Sequence, residues 1–137
     1  MTKLRILLAE DEPLISLFFE ELLVEMGHEV CAIETTEDAL VASAARLKPD
    51  LLIVDAHLRD GSGLVAVARI LEAGFVPHIF MTGDRLVSAQ VGSRAVILQK
   101  PFLDAEVGKA IEAAMQVVRA EKPQNSLLSG IPIGIEV

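Results

Sequence analysis

Leu51-Leu52-Ile53-Val54-Asp55 is a run of four apolar residues that closes on a carboxylate. Three other runs have the same form. Leu4 to Ala9 closes on Glu10-Asp11-Glu12, Ile79-Phe80-Met81 on Thr82, and Ala95 to Leu98 on Gln99-Lys100-Pro101. Short apolar runs alternating with helical stretches read as buried strands of a parallel sheet. All strands of such a sheet point one way, so the residues at their C-terminal ends line up along one edge. Open α/β sheets bind ligands at that edge. The residues gathered there are carboxylates, a hydroxyl and an ammonium. The acids suit a divalent cation, and the donors suit an anion.

Working outward from these runs, the pattern is βαβαβαβαβα. A first helix is expected from about Glu12 to Met26, with Pro13 in the first turn, where a missing N–H does no harm. Leu14, Leu17, Phe18, Leu22 and Met26 recur at helical spacing, and Gly27 ends the helix. This spacing turns Phe18 to the core and leaves Phe19 exposed. The second strand covers Glu29 to Ile33. Thr36 is a good N-cap for a second helix whose inner stripe is Ala39, Leu40, Ala44 and Leu47. Pro49-Asp50 stops that helix before the third strand, Leu51 to Val54. Asp60-Gly61-Ser62-Gly63 is a turn into a third helix, about Leu64 to Ala73. The fourth strand is Val76 to Met81, a short helix is expected over 85–91, and the fifth strand is Ala95 to Leu98. Asp104 is the expected cap of a last helix reaching about Ala120. The domain is expected to span residues 1–121 and a tail 122–137. Pro123-Gln124-Asn125-Ser126 reads as a linker, and the apolar stretch Ile131 to Val137 reads either as a mobile end or as a strand added to its own domain or to a neighbour.

Composition narrows the function classes. A chain of 137 residues with 52% hydrophobic and 23% charged residues has the size and balance of one globular domain. No stretch approaches a membrane span, so no membrane insertion is expected. No signal-peptide pattern follows Met1, so the expected location is the cytoplasm. The net charge of −8, the absence of Trp and Tyr, and the lack of a basic stripe disfavour direct nucleic-acid binding. The charge suits a cationic partner surface or a metal ion. Cys31, the single cysteine, lies in Val30-Cys31-Ala32-Ile33 and reads as a reduced core residue.

The strand-end residues carry the chemistry. Glu10, Asp11 and Asp55 would end two adjacent central strands. Hard cations such as Mg²⁺ take oxygen ligands, commonly one or two carboxylates with waters and a substrate oxygen. Close carboxylates also repel one another without a cation. Thr82 offers a hydroxyl to an anionic oxygen, and Lys100 offers a point charge to phosphate. A carboxylate nucleophile, a metal, a hydroxyl and a lysine together make a phosphoryl-transfer site.

This set resembles the receiver domain of two-component response regulators over about residues 3–120. The matching residues are Glu10-Asp11, Asp55, Leu58 with Asp60-Gly61-Ser62-Gly63, Thr82, and Lys100-Pro101-Phe102. The resemblance implies a flavodoxin-like (βα)5 three-layer sandwich with strand order 2-1-3-4-5. It implies Asp55 as acceptor of a phosphoryl group from a sensor histidine kinase or phosphotransfer protein. Asp11 would be the main Mg²⁺ ligand, Glu10 would bind through water, and Asp55 and the His57 backbone carbonyl would complete the protein's share. Thr82 would bond the phosphoryl group and Lys100 would pair with it. A cis peptide before Pro101 is also implied. With no second domain expected, output would pass to an unknown downstream protein by contact, or the chain would act as a phosphorelay intermediate or phosphate sink. This leaves room for a homodimer.

Two departures stand out. Many receivers carry an aromatic switch residue where this chain has Ile97, and Thr82 and Lys100 are only 18 positions apart. Both are compatible with the alternative of a phosphorylation-independent interaction module on the same fold. A flavin carrier is disfavoured, because Glu10-Asp11-Glu12 would repel a flavin phosphate. His57 is expected at the mouth beside the phosphate, where it reads as a partly exposed loop histidine or as a residue that tunes phosphate loss. Asp84 reads either as a similar influence or as a cap of the short helix expected over 85–91. His28 and His78 read as ordinary turn and strand-edge residues, and no second His or Cys stands at Zn²⁺-ligand spacing.

Overall fold

In the computed structural model, residues 2–84 and 90–130 are described, with 120–130 described as backbone. The strands are β1 (Arg5–Ala9), β2 (Glu29–Glu34), β3 (Leu51–Asp55), β4 (His78–Thr82) and β5 (Val96–Gln99). The helices among the described residues are α1 (Pro13–Glu25), α2 (Glu37–Leu47), α3 (Gly63–Leu71) and α4 (Asp104–Gly130). The strands form one parallel sheet in the order β2-β1-β3-β4-β5. The expected flavodoxin-like order is therefore the observed one.

Strand alternation builds two cores. Ile6, Leu8, Leu51, Ile53, Ile79, Met81 and Leu98 point to one face and pack against Phe19, Leu22 and Leu23 of α1 and Val107, Ala110, Ile111 and Ala114 of α4. Leu7, Ala9, Leu52, Val54 and Phe80 point to the other and meet Leu40 and Ala44 of α2 and Ala66, Val67 and Ile70 of α3. Burial on both faces explains why β1 and β3 are continuous apolar runs. It also fixes register, since a slip by one residue would exchange the two faces.

Local signals set the helix ends. Thr36 Oγ1 accepts from the Ala39 N–H at 3.2 Å, and Ser62 Oγ accepts from Val65 N–H at 3.2 Å. Lys48 ends α2 in the left-handed region at φ 48°. A Cβ on Gly63 would overlap the Asp55 carbonyl oxygen, so only glycine lets α3 start against β3. Asp104 lies in the first turn of α4 rather than at its cap. Glu106 Oε1 instead accepts the Leu103 N–H at 2.6 Å.

Three further sequence expectations require correction. In α1, Phe19 is fully buried while Phe18 is 48% exposed, and Leu14 and Leu17 also face outward. Ile15, Phe19, Leu22, Leu23 and Met26 form the inner stripe. Both stripes satisfy helical spacing, and contact with Phe102 (ring centroids 5.4 Å apart) belongs to Phe19. The last helix does not stop near Ala120 but continues through the expected linker to Gly130. One proline removes one amide from the ladder, whereas Glu121, Lys122, Gln124, Leu127 and Leu128 all favour helix. Cys31 is half-buried, because β2 is an edge strand, and its Sγ donates to the Ile6 carbonyl at 3.4 Å.

His28 and His78 are both buried. His28 Nδ1 accepts the Leu4 N–H at 3.1 Å, and burial holds its pKa below the ordinary value. The expected short helix at 85–91 falls mainly on residues 85–89, which lie outside the described residues, as does the stretch 131–137. No helix among the described residues is long and apolar enough to cross a membrane.

Candidate functional site

The C-terminal ends of β1, β3, β4 and β5 converge as parallel packing demands. Glu10 and Asp11 follow β1, Asp55 ends β3, Thr82 ends β4 and Lys100 follows β5. Carboxylate oxygens of Glu10, Asp11 and Asp55 lie within 4.8 Å of one another. Lys100 Nζ is 3.0 Å from Asp55 Oδ2 and 3.9 Å from Glu10 Oε1. The Lys100–Pro101 peptide is cis. Asp55 Oδ1 accepts the His57 N–H at 3.0 Å, which fixes the first turn of the loop after β3. Thr82 is buried, and its Oγ1 accepts the Asp84 N–H at 2.9 Å.

Glu10 carries the least compensated charge. Its Oε2 accepts the Glu12 N–H at 3.1 Å, whereas Oε1 is buried without a hydrogen-bond partner. Burial pushes its pKa up to about 7. The Glu12 N–H and Lys100 pull it down, and Asp55 and Asp11 push it further up. One ammonium faces three carboxylates here. Oxygen donors in this number, one of them orphaned and buried, fit a hard divalent cation. The donor set contains no thiolate or imidazole nitrogen and does not fit a soft metal.

Residues 6–112 match the model of the response regulator receiver domain. The chain belongs to the response regulator receiver family. The phyllosphere-induced regulator PhyR of Methylorubrum extorquens is 38% identical over 114 residues, which cover 80% of this chain and 43% of that protein. The crystal structure of the response regulator PhyR from Brucella abortus superposes with a TM-score of 0.80 at 33% identity, covering 88% of this chain and 51% of that one. The solution structure of SdrG from Sphingomonas melonis Fr1 gives a TM-score of 0.68 at 31% identity, covering 84% of this receiver and 99% of that chain. The receiver thus spans about half the length of the PhyR proteins and nearly all of SdrG. Receiver domains are signalling modules that typically bind Mg²⁺ at an acidic pocket, and an acidic cluster of Glu10, Asp11 and Asp55 is present in this one.

The sequence-predicted residues Glu10, Asp11, Asp55, Thr82 and Lys100 all reach this edge of the receiver. The His57 side chain points outward at the mouth, with Nε2 4.0 Å from Asp84 Oδ2. Spacing alone did not reveal that pairing. Sequence reasoning also missed Glu37, a first-turn residue of α2. Its Oε1 accepts the Ser62 N–H at 3.0 Å, and its Oε2 pairs with Arg69 Nη1 at 2.9 Å. The one available signal was the acidic first turn after Thr36, which also has the ordinary explanation of dipole compensation.

Charge is distributed unevenly around the receiver's site. Half of the chain's 20 acids fall between Glu10 and Asp38, a stretch without lysine or arginine. On α1 these acids include Glu20, Glu21 and Glu25, beside the outward-facing Leu14, Leu17, Phe18 and Val24.

Proposed function

We propose that this chain is a phospho-acceptor in two-component signalling, with Asp55 as the acceptor. The observation that carries the reading is the convergence on Asp55 of Lys100 at 3.0 Å and two further carboxylates within 4.8 Å. Asp11, Asp55 and the His57 carbonyl would hold Mg²⁺, with Glu10 acting through water. When bound, the ion supplies charge neutralisation to the phosphoryl oxygens.

An Asp55 carboxylate oxygen bonds to phosphorus as the P–N bond of a donor phosphohistidine breaks. The electron pair leaves with the imidazole nitrogen, which takes a proton from solvent. Lys100 then balances charge on the transferred group, and the Thr82 hydroxyl donates to one of its oxygens. Hydrolysis of the resulting acyl phosphate resets the protein. The chain promotes these steps without turning over a separate substrate, so it is not an enzyme in the ordinary sense.

The donor is a sensor histidine kinase or a phosphotransfer protein. The exposed apolar side of α1, beside the site, suits docking of the donor's helices. Output passes by protein contact, or the phosphoryl group is relayed onward or discarded. The proposed unit is a receiver over 1–121 with a tail over 122–137 whose first residues continue α4, working in the cytoplasm.

The test is labelling with acetyl phosphate and Mg²⁺. Wild type takes up one phosphoryl group, and Asp55→Asn takes up none. Equal labelling of the two proteins removes Asp55 as the sole acceptor.

A further inference from the structure

Beyond Asp55, the loop joining β3 to α3 carries the His57 carbonyl, and an unusual set of contacts holds it down. His57 and Ser62 pair across the loop as an antiparallel bridge, and Asp60 pairs with Thr36. The Asp60 carbonyl accepts the Glu37 N–H at 3.0 Å, and Ser62 returns its N–H to Glu37 Oε1 at 3.0 Å. Backbone and side chain of one residue therefore clamp both strands of the loop's tip to the start of α2. Gly61, at φ +100°, lies so close that a Cβ there would stand 2.5 Å from Glu37 Cβ. Arg69 of α3 donates to Glu37 Oε2 at 2.9 Å and to Asp38 Oδ1 at 2.8 Å. The Glu37 side chain is 20% exposed, whereas that of Asp38 is 89% exposed.

We propose that Glu37 is a positioning residue for the cation site: by tying Ser62 to α2 it sets where the His57 carbonyl stands. The inference rests on the metal reading given under Proposed function. A divalent cation of Mg²⁺ size demands near-ideal octahedral geometry, so a displaced ligand is costly. Removing a partner that orients a ligand typically lowers metal affinity about 10–100-fold. Arg69 holds the Glu37 carboxylate in place, while the Asp38 carboxylate pairs with Arg69.

The experiment is a Mg²⁺ titration of the full chain followed by amide NMR shifts, with thermal unfolding measured in parallel. Glu37→Ala is expected to weaken Mg²⁺ binding about 10-fold and to speed hydrogen exchange at the Ser62 amide. Glu37→Gln keeps an oxygen for that amide and restores affinity to within about twofold of wild type. Asp38→Ala leaves affinity unchanged. A purely structural role would lower the melting temperature of Glu37→Ala with its Mg²⁺ affinity intact, and that result overturns the proposal while leaving the metal site standing. Wild type that binds no Mg²⁺ overturns both readings together.

Discussion

Replacing Glu10 with glutamine is expected to stabilise the metal-free protein, and to do so only where Glu10 would be charged. The carboxyl is buried, one oxygen lacks a hydrogen bond, and its pKa rises from 4.5 to about 7. In the unfolded chain the group ionises above about pH 4.3. Between there and pH 7 the unfolded state loses its proton first, so folding stability declines as pH rises. Above the folded pKa the penalty is complete. A shift of this size corresponds to about 3 kcal/mol. Glutamine keeps an oxygen for the Glu12 N–H and has no charge to desolvate. Urea unfolding in EDTA, followed by circular dichroism because the chain has no Trp or Tyr, reads the difference. Glu10→Gln should exceed wild type by about 3 kcal/mol at pH 8 and by only a few tenths at pH 4.5. Millimolar Mg²⁺ should recover part of the deficit in wild type, by binding the folded state alone. A gap of equal size at both pH values, or a variant weaker than wild type at pH 8, refutes the claim that Glu10 is held ionised at a cost.

Chemical denaturation also tests the orientation of α1. Phe19→Ala should cost about 3–5 kcal/mol, and Phe18→Ala about 1 kcal/mol or less; equal losses would mean the helix is rotated. Gly63→Ala should cost about 3 kcal/mol, because its methyl group meets the Asp55 backbone, and the acceptor's amide resonances should shift with it. His28 and His78 are both held below the ordinary histidine pKa by burial. The unfolded state therefore takes up protons first, and stability falls as pH drops below about 6.5. Measured in the Glu10→Gln background, where the opposing trend is gone, His28→Asn should make that acid slope shallower. An unchanged slope would remove His28 as a source of it.

The site was readable from the sequence because parallel topology turns strand-end chemistry into spatial neighbours. Once the runs before Glu10, Asp55, Thr82 and Lys100 are taken as parallel strands, the edge follows without any side-chain detail. Sheet order was carried by the family resemblance rather than by periodicity, which says nothing about which strands are adjacent. The facing of α1 was not readable. With Leu14, Ile15, Leu17, Phe18, Phe19, Leu22 and Leu23 all apolar, two stripes satisfy the same period, and tertiary contact with Phe102 and the sheet decides between them. Glu37 was missed for a different reason. Its role depends on a loop 25 positions away, and a first-turn glutamate has a sufficient local explanation. The extent of α4 was misjudged because Pro123 was given more weight than its neighbours' helix propensity.

The pairing of an oily ridge with unrelieved negative charge on α1 bears on self-recognition. Leu14, Leu17 and Phe18 exposed to water would ordinarily invite a second copy to stack against them. Two such ridges brought together would set Glu20, Glu21 and Glu25 against their own duplicates, and like charges in contact are costly. Self-association through this ridge is thus opposed by charge, whereas the same surface suits a basic partner.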